Sequence, residues 1–116
     1  MNTSITPIPV YKPHEGTVKI SGSTVPRGAG RCAFYYLQRG LPVEFFCIGA
    51  NANQQAMKAM GIFMNMVNEN EEFKKRRLSV AFQPLRFMTD TIDIRTQDHR
   101  DKDATVWKTF LVQVAV

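Results

Sequence analysis

The sequence predicts a two-layer α+β sandwich of order β-α-β-α-β-β, a four-stranded mixed sheet with two helices on one face, and three observations predict it. Short alternating or wholly apolar runs near 17–21, 43–48, 78–82 and 110–116 have the length and period of strands. Two longer stretches carry apolar residues at helical spacing and separate the first three runs. A chain of 116 residues, 44% of them hydrophobic, builds one core and is too short for two. Right-handed crossovers then place both helices on the same side of the sheet.

Residues 1–16 contain Pro7, Pro9 and Pro13, which cannot donate to a continuous ladder, so they are expected to form an extended arm ahead of a domain over 17–116. In the first strand Val18 and Ile20 alternate with Lys19. Gly22, Ser23 and Thr24 offer turn and N-cap chemistry, and Pro26 suits a first helical turn. Ala29, Cys32, Ala33, Tyr36 and Leu37 form the apolar stripe of the first helix, which Gly40 and Pro42 end. Val43 to Ile48 is apolar on both faces apart from Glu44, the pattern of a central strand covered on both sides.

Asn51 or Asn53 can cap the second helix, whose stripe is Ala56, Met60, Phe63, Met64 and Val67. A further stripe of Ala59, Ile62 and Met66 widens it, so this helix must bury more than one face. The cover comes from the chain's own core or from another subunit, and a dimer using Ala59, Ile62, Met64 and Met66 is expected. Polar residues from Asn68 to Arg77 end the helix, Leu78, Val80 and Phe82 alternate as the third strand, and Phe110 to Val116 as the fourth; between them Ile92 and Ile94 alternate with Asp93 and Arg95, the pattern of hairpin arms that continue outward past the core. The topology gathers the turns at 21–27, 49–54 and 87–105 at one end and leaves the basic run Lys74 to Arg77 at the other.

Fifteen Lys and Arg against ten Asp and Glu give a net charge of +5, which favours polyanionic partners. The segment 88–105 departs from this, with five Asp against three basic residues. No run approaches the ~18 apolar residues of a membrane span, and no signal pattern opens the chain, so a cytoplasmic location is expected. Cys32 and Cys47 each sit in an apolar run and read as buried, inert thiols. With His14 and His99 they match no zinc spacing, and neither a phosphate-binding glycine motif nor an acid–base constellation is complete. The expectation is therefore no enzyme, no metal and no cofactor.

Ile48-Gly49-Ala50-Asn51-Ala52-Asn53-Gln54-Gln55-Ala56-Met57-Lys58-Ala59 resembles the strand-to-helix signature I-G-A-x-A-x-x-Q-A-x-K-A of the stage V sporulation protein S family. Lys19-Ile20-Ser21 with Pro26, and Thr89-Asp90 with Ile92-Asp93-Ile94, resemble it too, so the likeness covers about 17–116. That family is similar in fold to Alba chromatin proteins and to the C-terminal domain of translation initiation factor three. The resemblance implies an Alba-like dimer that binds nucleic acid without catalysis, in the nucleoid of a bacterium or the host cytoplasm of a phage.

On this reading a two-fold dimer binds DNA or RNA without regard to sequence, in a regulatory or nucleoid-architectural role. Arg27, Arg31, Arg86, Arg95, Arg100 and Lys102 supply charge, and Ser23, Asn51 and Asn53 supply hydrogen bonds near helix starts. The chain has Ser23 where the family usually offers Lys, and Gly49 and Asn51 where Alba proteins are basic. The rival is a protein–protein assembly module that keeps the fold and has lost nucleic-acid affinity, in which case higher oligomers are expected. A basic or an acidic face on 88–105 separates the two.

Overall fold

A computed structural model describes the backbone of residues 11–92 and 99–114, which runs β1 (Thr17–Ile20), α1 (Pro26–Gln38), β2 (Glu44–Ile48), α2 (Ala50–Glu69), α3 (Glu71–Lys75), β3 (Leu78–Ile92) and β4 (His99–Gln113). The strands form one mixed sheet in the order β1-β2-β4-β3, with β1 parallel to β2 and the other pairings antiparallel. The class is α+β, as expected. One core unites the sheet with both long helices: Val18, Ile20, Phe45, Cys47 and Val80 meet Ala29 and Ala33 of α1 and Ala56, Met60, Phe63 and Val67 of α2. At its centre Phe45, Phe63 and Phe82 pack edge to face, with centroids 5.8, 6.2 and 6.3 Å apart.

The broad apolar surface of α2 is covered from within the chain. Gly30 lets α1 approach so closely that a Cβ there would lie 2.9 Å from Ile62 Cγ2 and 3.1 Å from the Ala59 carbonyl oxygen. One of the four residues expected at a dimer interface is enclosed by the chain itself. Ala59 is fully buried, Ile62 packs on Gly30, Met64 lies against the core and Met66 is half-buried. Within the second stripe of α2, Ala59 and Ile62 answer Gly30 of α1.

Three element boundaries also differ. The polar stretch after α2 is not a plain terminus, because Asn70 starts α3 by accepting from the N–H groups of Glu72 at 3.0 Å and Phe73 at 3.2 Å. Glu71 and Glu72 in its first turn and Lys74 and Lys75 in its last complement the helix dipole. The third strand does not stop at Phe82 but continues through Pro84 to Ile92, since β3 is the outer strand, where a sheet tolerates proline. The fourth strand begins far earlier than Phe110. Its middle, Ala104 to Val106, is buried, while Phe110, Leu111, Val112 and Val114 are exposed where the hairpin outruns β2.

The described part of the N-terminal arm packs into the domain. Tyr11 stacks on Phe46 and reaches Phe87 on the sheet face away from the helices. Its hydroxyl donates to Glu44 Oε1 at 2.7 Å, the same oxygen that the Thr17 hydroxyl reaches at 2.8 Å and His14 Nε2 at 2.9 Å. Gly16 is needed where arm and loop cross, since a Cβ there would lie 1.8 Å from the Pro42 carbonyl oxygen. Structurally the domain thus takes in residues 11–16 as well as 17 onward.

Alanine in place of glycine inside a helix ordinarily stabilises by about 0.5–1 kcal/mol. Gly61→Ala, with open space around its Cβ, is expected to give that gain in urea unfolding, whereas Gly30→Ala is expected to lower the midpoint because α1 and α2 must separate. An equal gain at both positions would contradict the close approach.

Candidate nucleic-acid interface

The C-terminal ends of β1 and β2 point the same way, and beyond them project the β1–α1 turn, the start of α2 and the outer part of the β3–β4 hairpin. The turn is held by Ser21, whose N–H donates to Thr24 Oγ1 at 2.8 Å, and Ser23 Oγ lies 3.1 Å from Ser21 Oγ. These hydroxyls close the turn and do not cap α1, whose N-cap is Val25 without a side-chain bond. Gln55 ties the turn to α2 by donating to the Thr24 carbonyl at 2.9 Å. A Cβ on Gly22 would sit 3.2 Å from Asn51 Cβ, so Ser23 and Asn51 belong to one surface, and both are exposed.

The cap of α2 is Gly49, neither Asn51 nor Asn53. It has φ 88° and ψ 169°, a conformation glycine alone adopts without strain, and its N–H donates to the Asp103 carbonyl at 3.1 Å. No side chain caps the helix. Beside the start of α2 lies a groove of about 620 Å³ lined by Gly49, Gln54, Met57, Pro84, Arg86 and Trp107.

Asn53 lies inside α2 and its amide is spent within the domain. Its Oδ1 accepts from Trp107 Nε1 at 3.1 Å and from the Cys47 thiol at 3.2 Å, while Nδ2 donates to the Gly49 carbonyl and to Thr105 Oγ1 at 3.3 and 3.4 Å. It is a structural node and not the phosphate donor expected of it. Burial pushes the Cys47 thiol up to about 11, against a smaller opposite pull from the Trp107 indole, so the thiol stays protonated and unreactive. Cys32 is half-buried on α1.

Arg27 and Arg31 are exposed on α1, the first of them in the turn of helix next to Ser23 and Asn51. Arg86 is exposed on β3 at the groove mouth, 3.8 Å from the Asp103 carboxylate. Lys102 is exposed but does not join them: the register that puts Thr105 beside Asn53 turns Lys102 to the opposite face of the sheet, with Asp103 on the helix side. The backbone of Arg100 pairs with Thr91 in the outer hairpin, and Arg95 lies outside the described residues. The exposed group at this end is thus Ser23, Arg27, Arg31, Asn51 and Arg86. Trp107 and Gln55 were not among the expected site residues, and only the pairing of β2 with β4 and of the turn with α2 brings them there.

Among the described residues no three His, Cys, Asp or Glu side chains come together as metal ligands, and no helix is long and apolar enough to cross a membrane. No family model matches the chain, and no curated protein matches it.

Asn53→Ala leaves the Trp107 N–H without its acceptor and is expected to destabilise the domain by about 1–3 kcal/mol in chemical unfolding. The raised thiol gives a pH signature. The unfolded chain ionises near the ordinary thiol value and the folded chain near 11, so the contribution of Cys47 is complete below that window and falls as pH rises through it. Alkylation should reach Cys32 first and Cys47 only on unfolding; prompt native labelling of Cys47 would contradict its burial.

Proposed function

We propose that the chain is a non-catalytic, sequence-tolerant nucleic-acid-binding protein with an Alba-like fold of the stage V sporulation protein S kind, acting as a two-fold dimer in the cytoplasm. The observation that carries the reading is the convergence, at one end of the domain, of a hydroxyl-rich turn, the uncapped start of α2 and an outward hairpin, beside exposed Arg27, Arg31 and Arg86. Helix starts and turn hydroxyls suit backbone phosphates, which carry no base information, and guanidinium groups add charge. Residues 48–59, which resemble that family's signature, span the β2–α2 turn that borders this surface. Phe110, Val112 and Val114, an exposed apolar strip at the end of β4, offer a surface to a partner copy.

The same strip is what favours the assembly-module reading, together with Asp103 beside Arg86. Salt dependence separates the two. Binding through phosphates requires log K to fall with log salt at a slope of about −0.9 per phosphate neutralised on B-DNA, or about −0.7 on single strands. Anisotropy titrations with duplex DNA, single-stranded DNA and RNA between about 50 and 200 mM salt are expected to show this. Arg27→Ala and Arg86→Ala should each reduce the slope by about one unit and weaken all sequences alike. Lys74→Ala with Lys75→Ala should change little, because those residues lie at the end of α3, away from the hairpin turn. Absence of salt-sensitive binding, with sedimentation showing self-association, would favour the assembly module.

A further inference from the structure

The face of the sheet turned away from the helices carries a second surface with its own chemistry. Register places Lys19 of β1, Phe46 of β2, Phe87 of β3, and Lys102, Val106 and Lys108 of β4 on it. The three lysines are exposed, Val106 is fully buried, and the two phenylalanines are half-buried with centroids 6.3 Å apart. Among the described residues the one carboxylate that the strands put on this face is Glu44, which is buried and already answered by Tyr11, Thr17 and His14. The face therefore presents aromatic rings framed by three exposed lysines.

Tyr11 shows what the rings accept. Its ring lies 5.6 Å from Phe46 at an interplanar angle of 7°, an offset stack, and 5.4 Å from Phe87. Beside Phe46 and Ile48 a groove of about 330 Å³ runs to Lys19 and to the hydroxyls of Ser21 and Thr24, room for a further planar group with a donor-rich border. A duplex keeps its base faces stacked inside and cannot use such a surface. A single strand can splay its bases onto aromatic side chains while its backbone follows the lysines.

We propose that this face is a base-stacking platform for single-stranded nucleic acid: Phe46 and Phe87 take bases, Lys19, Lys102 and Lys108 take the backbone, and Tyr11 holds the place of a base until one displaces it. The ligand class rests on the nucleic-acid reading above, but the surface is distinct from the loop end.

The test uses the full-length chain and a short labelled oligothymidylate beside a labelled DNA duplex. Phe46→Leu and Phe87→Leu keep apolar volume while removing the ring, and each is expected to weaken oligothymidylate binding about fivefold or more while leaving duplex binding unchanged. Tyr11→Ala removes the internal competitor and should tighten oligothymidylate binding several-fold. Ultraviolet crosslinks should map to Phe46 and Phe87, and thermal melts establish that each variant is folded. Unaltered oligothymidylate affinity in both leucine variants, weaker binding by Tyr11→Ala, or crosslinks confined to the loop end would overturn the platform. If the leucine variants lose oligothymidylate while Arg27→Ala and Arg86→Ala leave duplex binding intact, the loop-end reading falls and the platform stands. Binding of neither nucleic acid overturns both.

Discussion

A carboxylate taken out of water at the edge of a core must be met by donors, and Glu44 organises the start of the sheet on those terms. It is 4% exposed, and Tyr11, Thr17 and His14 all converge on one of its oxygens. Thr17 is also its partner in the β1–β2 register, so the same bond sets how the two parallel strands align. A slip by one residue would separate the pair and turn Val18 and Ile20 out of the core. Through Tyr11 the bond brings the arm across the sheet, and through the Gly16 carbonyl, which accepts from the Glu44 N–H, it brings the arm's end against β2. Charge, register and coverage of the second face thus have one origin.

The other end of β2 is held differently. Cys47, Thr105 and Trp107 meet on the Asn53 amide, a neutral network that joins β2, β4 and the first turns of α2. Gly49 adds a backbone bond to Asp103, so strand, helix start and hairpin are fixed relative to one another. Elements fixed in this way present their surface already ordered, which lowers the entropy cost of any binding there. Rigid backing also explains why Asn53 could not serve as a donor: an amide that bonds four groups inside the domain has nothing left to offer outside.

Much of this was legible wherever periodicity is local. Ala29 to Leu37 marks α1, the stripe from Ala56 to Val67 marks α2, and Glu44 in a run of apolar residues marks a strand covered from both sides. The end of the domain that gathers the turns followed from strand direction alone. What was not legible depends on partners distant in the chain. Trp107 meets Asn53 across 54 positions and Tyr11 meets Glu44 across 33, and no spacing rule reaches that far. The width of α2 was visible as a need for cover, yet whether α1 or a second copy supplied it turned on one missing Cβ, at Gly30. Strand β3 runs on past Phe82 through Pro84, which an outer strand tolerates and an inner one does not.

That proline has a further consequence. Strand β3 is fifteen residues long and forms the sheet's outer border, a length of open hydrogen-bonding edge that would ordinarily invite another chain to add itself and begin a fibril. Near its midpoint Pro84 interrupts that template, with Gln83 and exposed Arg86 close by to keep it wet. Colloidal stability and a long hairpin are thereby reconciled: the arm can extend well past the body of the domain without its flank becoming a seed for aggregation.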